Sequence, residues 1–193
     1  MTTANKITIL RILVVPFFAT QALYYVESGQ EGFRLSAILA FWIAAILDGV
    51  DGYIARRYNQ RSELGAILDP LADKLLLVTG LIVLTLNNEP HLYSIPLWCT
   101  ASILGRDVIL LGGLGIIYYI KGRIRMGPRF VSKVATVFQM ALILHTLLKW
   151  PQNFQLAWAW GAAICTAISC VLYIMDGARQ ISDHPASSAD SEQ

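Results

Sequence analysis

The run DGVDGYIARRYNQRSELGAILDPLADK, from Asp48 to Lys74, carries four aspartates, Asp48, Asp51, Asp69 and Asp73, on either side of a short basic connection. Asp48 and Asp51 are three apart, and Asp69 and Asp73 four apart, so on helices each pair shares one face. Asp51 precedes Arg57 by six residues and Asp69 follows Glu63 by six, about 9 Å along each helix. Asp48 and Asp73 lie one turn deeper, about 14 Å in. A short connection makes the helices antiparallel neighbours, which brings both pairs level. The spacing therefore predicts four carboxylates facing one volume.

Both flanking segments are apolar, so these charges are expensive. An ionised aspartate deep in a bilayer costs roughly 3 kcal/mol on insertion scales, and crowded carboxylates repel further. Oxygen-only donors without His or Cys suit hard cations, Mg²⁺ or Mn²⁺. Two such ions would neutralise the cluster and bridge a diphosphate. Simple ion pairing with Arg56, Arg57 and Lys74 is the alternative, but four level carboxylates exceed what it requires. Gly49 and Gly52 sit beside the acids, where glycine costs about 1 kcal/mol relative to alanine in a helix, and Gly65 opens the next helix. Each lets backbone approach a bulky ligand closely. Arg56, one turn after Gly52, has the reach to grip a phosphate.

Of the 193 residues, 55% are hydrophobic and 15% charged, the charged share well below the quarter usual in soluble domains. The apolar residues gather into six runs, approximately Ile7–Val26, Phe33–Arg56, Leu64–Leu86, Ile95–Ile120, Val131–Trp150 and Phe154–Met175. Most approach the ~20 residues that cross about 30 Å of hydrocarbon. They lack the alternation of barrel strands, so they predict helices. The expected fold is an all-α integral membrane protein with six transmembrane helices. Lys6, the trio Arg56, Arg57 and Arg61, the group Lys121, Arg123, Arg125 and Arg129, and Arg179 fall on alternate connections, against only Arg34 and Lys149 opposite. The positive-inside rule then puts both termini in the cytoplasm.

Residues 1–180 form one expected domain, and the polar stretch 181–193, ISDHPASSADSEQ, an expected disordered tail. A net charge of +2 points to no nucleic-acid partner. Arg11 and Pro16 interrupt the first run, no A-x-A site follows, and five more spans come after, which argues against a signal peptide. Cys99, Cys165 and Cys170 lack ligand spacing and read as packing residues.

The pattern Asp48-x-x-Asp51-Gly52-x-x-Ala55-Arg56, eight residues, Gly65-x-x-x-Asp69-x-x-x-Asp73 resembles the signature of the CDP-alcohol phosphatidyltransferases. Every fixed position matches, and six spans match that family over about residues 5 to 180. The resemblance implies a homodimer with its site open to the cytoplasmic leaflet, here the bacterial inner membrane. It implies that Asp48, Asp51, Asp69 and Asp73 hold the metal ions and that Asp73 is also the catalytic base. Gly52, Arg56 and Ser62 would contact the CDP part of CDP-diacylglycerol, and Asn5 and Thr8 would border the nucleotide. Cytidine monophosphate would leave. A carboxylate beside two cations is a weak base by itself, so Asp73 could serve only if the metals also acidify the hydroxyl.

Acceptor choice should lie outside the signature. Arg106-Asp107 puts a charged pair inside the fourth span. It is read either as an internal ion pair, with Lys74 a candidate partner, or with Arg106 lining the acceptor pocket. Lys133 opens the fifth span, where it would meet a phosphate or snorkel to the interface. These motifs are similar to the glycerol-acceptor branch, whose acceptors are glycerol 3-phosphate and phosphatidylglycerol. Ala135 and Asp107 depart from the lysine and glutamate common in the glycerol 3-phosphate group, and Arg-Asp with Ser-Lys looks closer to the cardiolipin synthase type. Inositol phosphate and serine are the other alcohols to weigh.

A cation-coupled transporter is the competing class, but it predicts acids spread over several helices. His145 is expected to be a hydrogen-bonded helix residue. Trp98, Trp150, Trp158 and Trp160 suit interfacial anchoring, and Trp42, deeper, is expected to pack inside.

Overall fold

The computed structural model describes residues 3–57, 63–86, 88–121 and 130–182. They form six helices and, among the described residues, no strand: α1 (Thr3–Ser28), α2 (Glu31–Arg57), α3 (Glu63–Thr85), α4 (Leu97–Lys121), α5 (Phe130–Leu147) and α6 (Gln152–Ser182). All six expected segments are present. α6 runs about two turns past Met175, and residues 183–193, most of the expected tail, lie outside the described residues.

Helical periodicity decides which faces meet. On α1 the buried positions are Thr8, Arg11, Val15, Phe18, Ala22 and Tyr25; on α2 they are Ala37, Ala40, Phe41 and Ala44. Steps of three and four make each set one stripe. The stripes pack together, with the Phe18 and Phe41 rings 5.7 Å apart. α1 also packs along α3, and more extensively on α2 and on α3 than those two pack on each other. The expected α2–α3 hairpin is thus wedged by the first helix. Gly80 of α3 permits the crossing: a Cβ there would lie 2.9 Å from Ile143 of α5 and 3.5 Å from Phe18. α6 packs against both α4 and α5. At Gly161 a Cβ would stand 2.7 Å from the Phe138 ring.

Among the described residues, large hydrophobic side chains outside these stripes are exposed. Leu13, Leu39, Val108, Leu111, Val137 and Phe154 are each more than 60% exposed. Soluble monomers rarely present so much contiguous hydrocarbon to solvent. Among the described residues, Ile7–Ser28 and Gln152–Asp176 are long and apolar enough to cross a membrane, and Val131–Leu147 is a shorter apolar helix. Trp42 joins this exterior at 49% exposed. It follows Phe41 by one residue, which turns it away from the α1 contact, so the inward packing expected for it is corrected. The Trp98 and Trp160 rings meet tilted by 39°, with centroids 4.6 Å apart.

The helix ends opposite the acidic motif are tied by charge. Glu31 accepts from Arg34 Nε at 2.5 Å, from Lys149 Nζ at 2.9 Å and from the Tyr25 hydroxyl at 3.3 Å. Arg34 also donates to the Leu147 carbonyl at 3.2 Å. The start of α2 is thereby joined to the end of α5. Gly29 turns the chain after α1 at φ 67°, and a Cβ there would also fall 2.2 Å from His91.

Two outcomes test this packing. Gly161→Ala should lower stability by about 1–3 kcal/mol, the range for overpacking, read as a drop in Tm; an unchanged Tm would mean that Phe138 moves aside freely. Glu31 is held below the ordinary carboxylate range by hydrogen bonds from Lys149 and then Arg34. Its contribution is therefore present above that range and lost as pH falls through the depressed value. Glu31→Gln should be slightly less stable at neutral pH and match the wild type in strong acid. A pH-independent gap would rule out the charge as its source.

Candidate active site

The α2 stripe continues to Asp48, one turn beyond Ala44, and the α1 stripe ends in Arg11 and Thr8. These continuations meet. Arg11 Nη1 lies 2.7 Å from Asp48 Oδ1, with Arg11 fully buried and the Asp48 side chain 44% exposed. Asp73, half-buried on α3, is close enough to feel the charges of Asp48, Arg11 and Lys74. Two of the four expected carboxylates, on different helices, thus share one electrostatic neighbourhood. Thr8, expected to border the nucleotide, is fully buried one turn before Arg11 on the same face.

Asp51, Gly52 and Arg56 lie on α2, Gly65 and Asp69 on α3, and Asn5 on α1; their side chains, and Ser62 altogether, lie outside the described residues. For the described pair the donor chemistry suits a hard cation. Both are carboxylates, they repel one another, and Asp48 keeps an open side.

A second network stands beside the first. Lys74 follows Asp73 by one residue, a rotation of about 100°, and so points to a different neighbour. Its Nζ lies 2.5 Å from Asp107 Oδ2 on α4. Arg106 donates from Nη1 to Asp107 Oδ1 at 2.8 Å, and from Nη2 to the Ser132 and Ser169 hydroxyls at 2.8 and 2.9 Å. One carboxylate therefore serves two cations, and α3, α4, α5 and α6 are joined through them. The internal ion pair with Lys74, one of the two readings open for Arg106-Asp107, is what the structure contains. Arg106 is 7% exposed and also borders a groove of about 610 Å³ between α4 and α6, walled by Trp98, Ala101, Gly105, Trp160 and Ile164. Such walls suit hydrocarbon. Lys133 is exposed at the start of α5, and Ala135 is buried.

His145 is buried with its ring edge-on to Trp150 at 5.7 Å, and neither ring nitrogen has a hydrogen-bond partner among the described residues. The hydrogen-bonded role expected for it is corrected, because its ring is buried against the Trp150 ring. Cys99 is buried, and its thiol donates to the Ala159 carbonyl at 3.5 Å.

Arg11 is the site residue that sequence reasoning passed over. The signal was present: a charge inside an apolar run is as costly for arginine as for aspartate.

The family comparison fits this geometry. The family model for CDP-alcohol phosphatidyltransferase matches residues 1–177. The chain belongs to the CDP-alcohol phosphatidyltransferase family. It is an enzyme of phosphatidyl transfer. It is similar to the CDP-diacylglycerol–glycerol-3-phosphate 3-phosphatidyltransferases of Shigella flexneri serotype 5b (strain 8401), Shigella boydii serotype 4 (strain Sb227) and Escherichia coli (strain K12). Each is 28% identical over 171 residues, spanning 87% of this chain and 90% of the relative.

Removing the shared carboxylate should expose how the phosphatidyltransferase bundle is held. Asp107→Asn leaves Arg106 buried without its counter-charge and should destabilise by about 3 kcal/mol. Lys74→Met should cost less, since Lys74 is half-exposed. Thermal unfolding in detergent reads both, and a larger loss for Lys74→Met would contradict the assignment.

Proposed function

We propose that this enzyme transfers the phosphatidyl group of CDP-diacylglycerol to the primary hydroxyl of glycerol 3-phosphate, releasing cytidine monophosphate. The observation that carries it is that Asp48 on α2, ion-paired to Arg11, and Asp73 on α3 lie within range of one another's charge, in a signature whose other acids, Asp51 and Asp69, lie on the same two helices. The bacterial relatives are named for that acceptor.

Asp48, Asp51, Asp69 and Asp73 would hold Mg²⁺ or Mn²⁺, two ions in this reading. When bound, such ions supply charge stabilisation at a diphosphate and its leaving oxygen. Gly52 and Gly65 let backbone approach the CDP group, Arg56 grips a phosphate, and Asn5, Thr8 and Ser62 border the nucleotide. Asp73 takes the proton of the attacking hydroxyl. As that oxygen bonds to the phosphatidyl phosphorus, the bond from phosphorus to the cytidine monophosphate oxygen breaks. Arg106 and Lys133 belong to the acceptor side.

In the same reading all six helices span the bacterial inner membrane, residues 1–180 form the membrane domain, and both termini and the site face the cytoplasm. The working form is a homodimer. The apolar exterior and the alternation of basic connections support this arrangement.

A second acceptor, phosphatidylglycerol, is favoured by one observation. Arg106 is already engaged by Asp107, Ser132 and Ser169, and the groove beside it is apolar. A lipid acceptor suits those walls better than a free phosphomonoester does.

The deciding assay supplies purified protein with CDP-diacylglycerol, Mn²⁺ or Mg²⁺, and one acceptor at a time, with products identified by mass. Phosphatidylglycerophosphate from glycerol 3-phosphate is expected. Cardiolipin formed only from phosphatidylglycerol would replace the first acceptor by the second. Asp69→Asn should lower turnover by about a thousandfold or more, several kcal/mol of lost charge stabilisation, while leaving a folded protein. Undiminished turnover would remove Asp69 from the metal site.

A further inference from the structure

Arg11 heads the large side chains that are fully buried. Burying a guanidinium costs several kcal/mol unless its charge is answered, and an apolar side chain of similar volume fills such a slot as well or better. Packing alone therefore does not explain an arginine here. Its geometry offers an explanation. Nη1 reaches Asp48 Oδ1 at 2.7 Å from the protein interior, while the Asp48 side chain stays 44% exposed on its other side. The carboxylate is gripped from behind and open in front. Asp73 feels the charges of both Arg11 and Asp48. Arg11 thus also offsets the repulsion between two carboxylates on different helices.

We propose that Arg11 is a positioning residue of the active site, which holds Asp48 through Oδ1 so that Oδ2 is presented to a divalent cation. This rests on the reading of Asp48 as a metal-binding residue. Without that anchor the Asp48 side chain would rotate freely and repel Asp73. Partners of this kind, one shell behind the ligands, typically change metal affinity or activity 10- to 100-fold when removed. Lysine replaces the charge incompletely, because it lacks the planar fork of the guanidinium.

The test uses the full chain in nanodiscs and Mn²⁺ alone as probe, following free Mn²⁺ by electron paramagnetic resonance. Arg11→Met is expected to bind Mn²⁺ about 10- to 100-fold more weakly than wild type, with Arg11→Lys between them. Turnover of Arg11→Met should recover as Mn²⁺ is raised, a response that a packing defect would not give. On an Asp48→Asn background, Arg11→Met should weaken Mn²⁺ binding no further, because the two residues act as one unit. A folded Arg11→Met whose Mn²⁺ affinity is within twofold of wild type, or a further loss on the Asp48→Asn background, overturns the proposal while leaving the metal reading intact. Absence of Mn²⁺ uptake by the wild type overturns both. Should Arg11→Met fail to fold, Arg11→Lys decides alone: weaker binding than wild type supports the role, and equal binding overturns it.

Discussion

Negative charges gathered inside an apolar bundle need cations nearby, and the architecture of this protein follows from how it meets that need. Water screens little within packed helices, so a carboxylate there is stable only against a positive partner. The Arg11–Asp48 pair is such a partnership. It joins α1 to α2, and Asp73 on α3 lies within range of both charges.

Two further charged networks join helices, one inside the bundle and one at exposed helix ends. Lys74, Asp107, Arg106, Ser132 and Ser169 tie four helices together. Glu31, Arg34 and Lys149 join the far ends of α2 and α5. α3 is the pivot between the first two networks. Consecutive side chains on a helix diverge, so Asp73 takes part in one and Lys74 in the other.

Much of this was legible in the sequence because it is local. Runs of apolar residues predict the six helices, and the three- and four-residue spacings predict which acids share a face. The signature from Asp48 to Asp73 carries the family resemblance within one short stretch of chain. Arg106-Asp107 read as a charged pair with Lys74 as a candidate partner. Trp42 and His145 were misread for one reason: their surroundings depend on how helices are rotated about their axes, and rotation is set by packing with distant segments. Arg11 was seen only as an interruption of an apolar run, although its place in the stripe Thr8, Arg11, Val15, Phe18 was already visible.

The helices, the acidic motif and the family are local properties, readable from residues close together in the chain. Packing between distant segments is what sets α1 against both α2 and α3, brings Arg11 to Asp48, and lets one carboxylate, Asp107, serve two cations. Those outcomes depend on which stripe meets which, a choice made by side-chain volume at crossings such as Gly80 and Gly161. Close packing admits few alternatives there, but it acts between residues that the linear order keeps far apart.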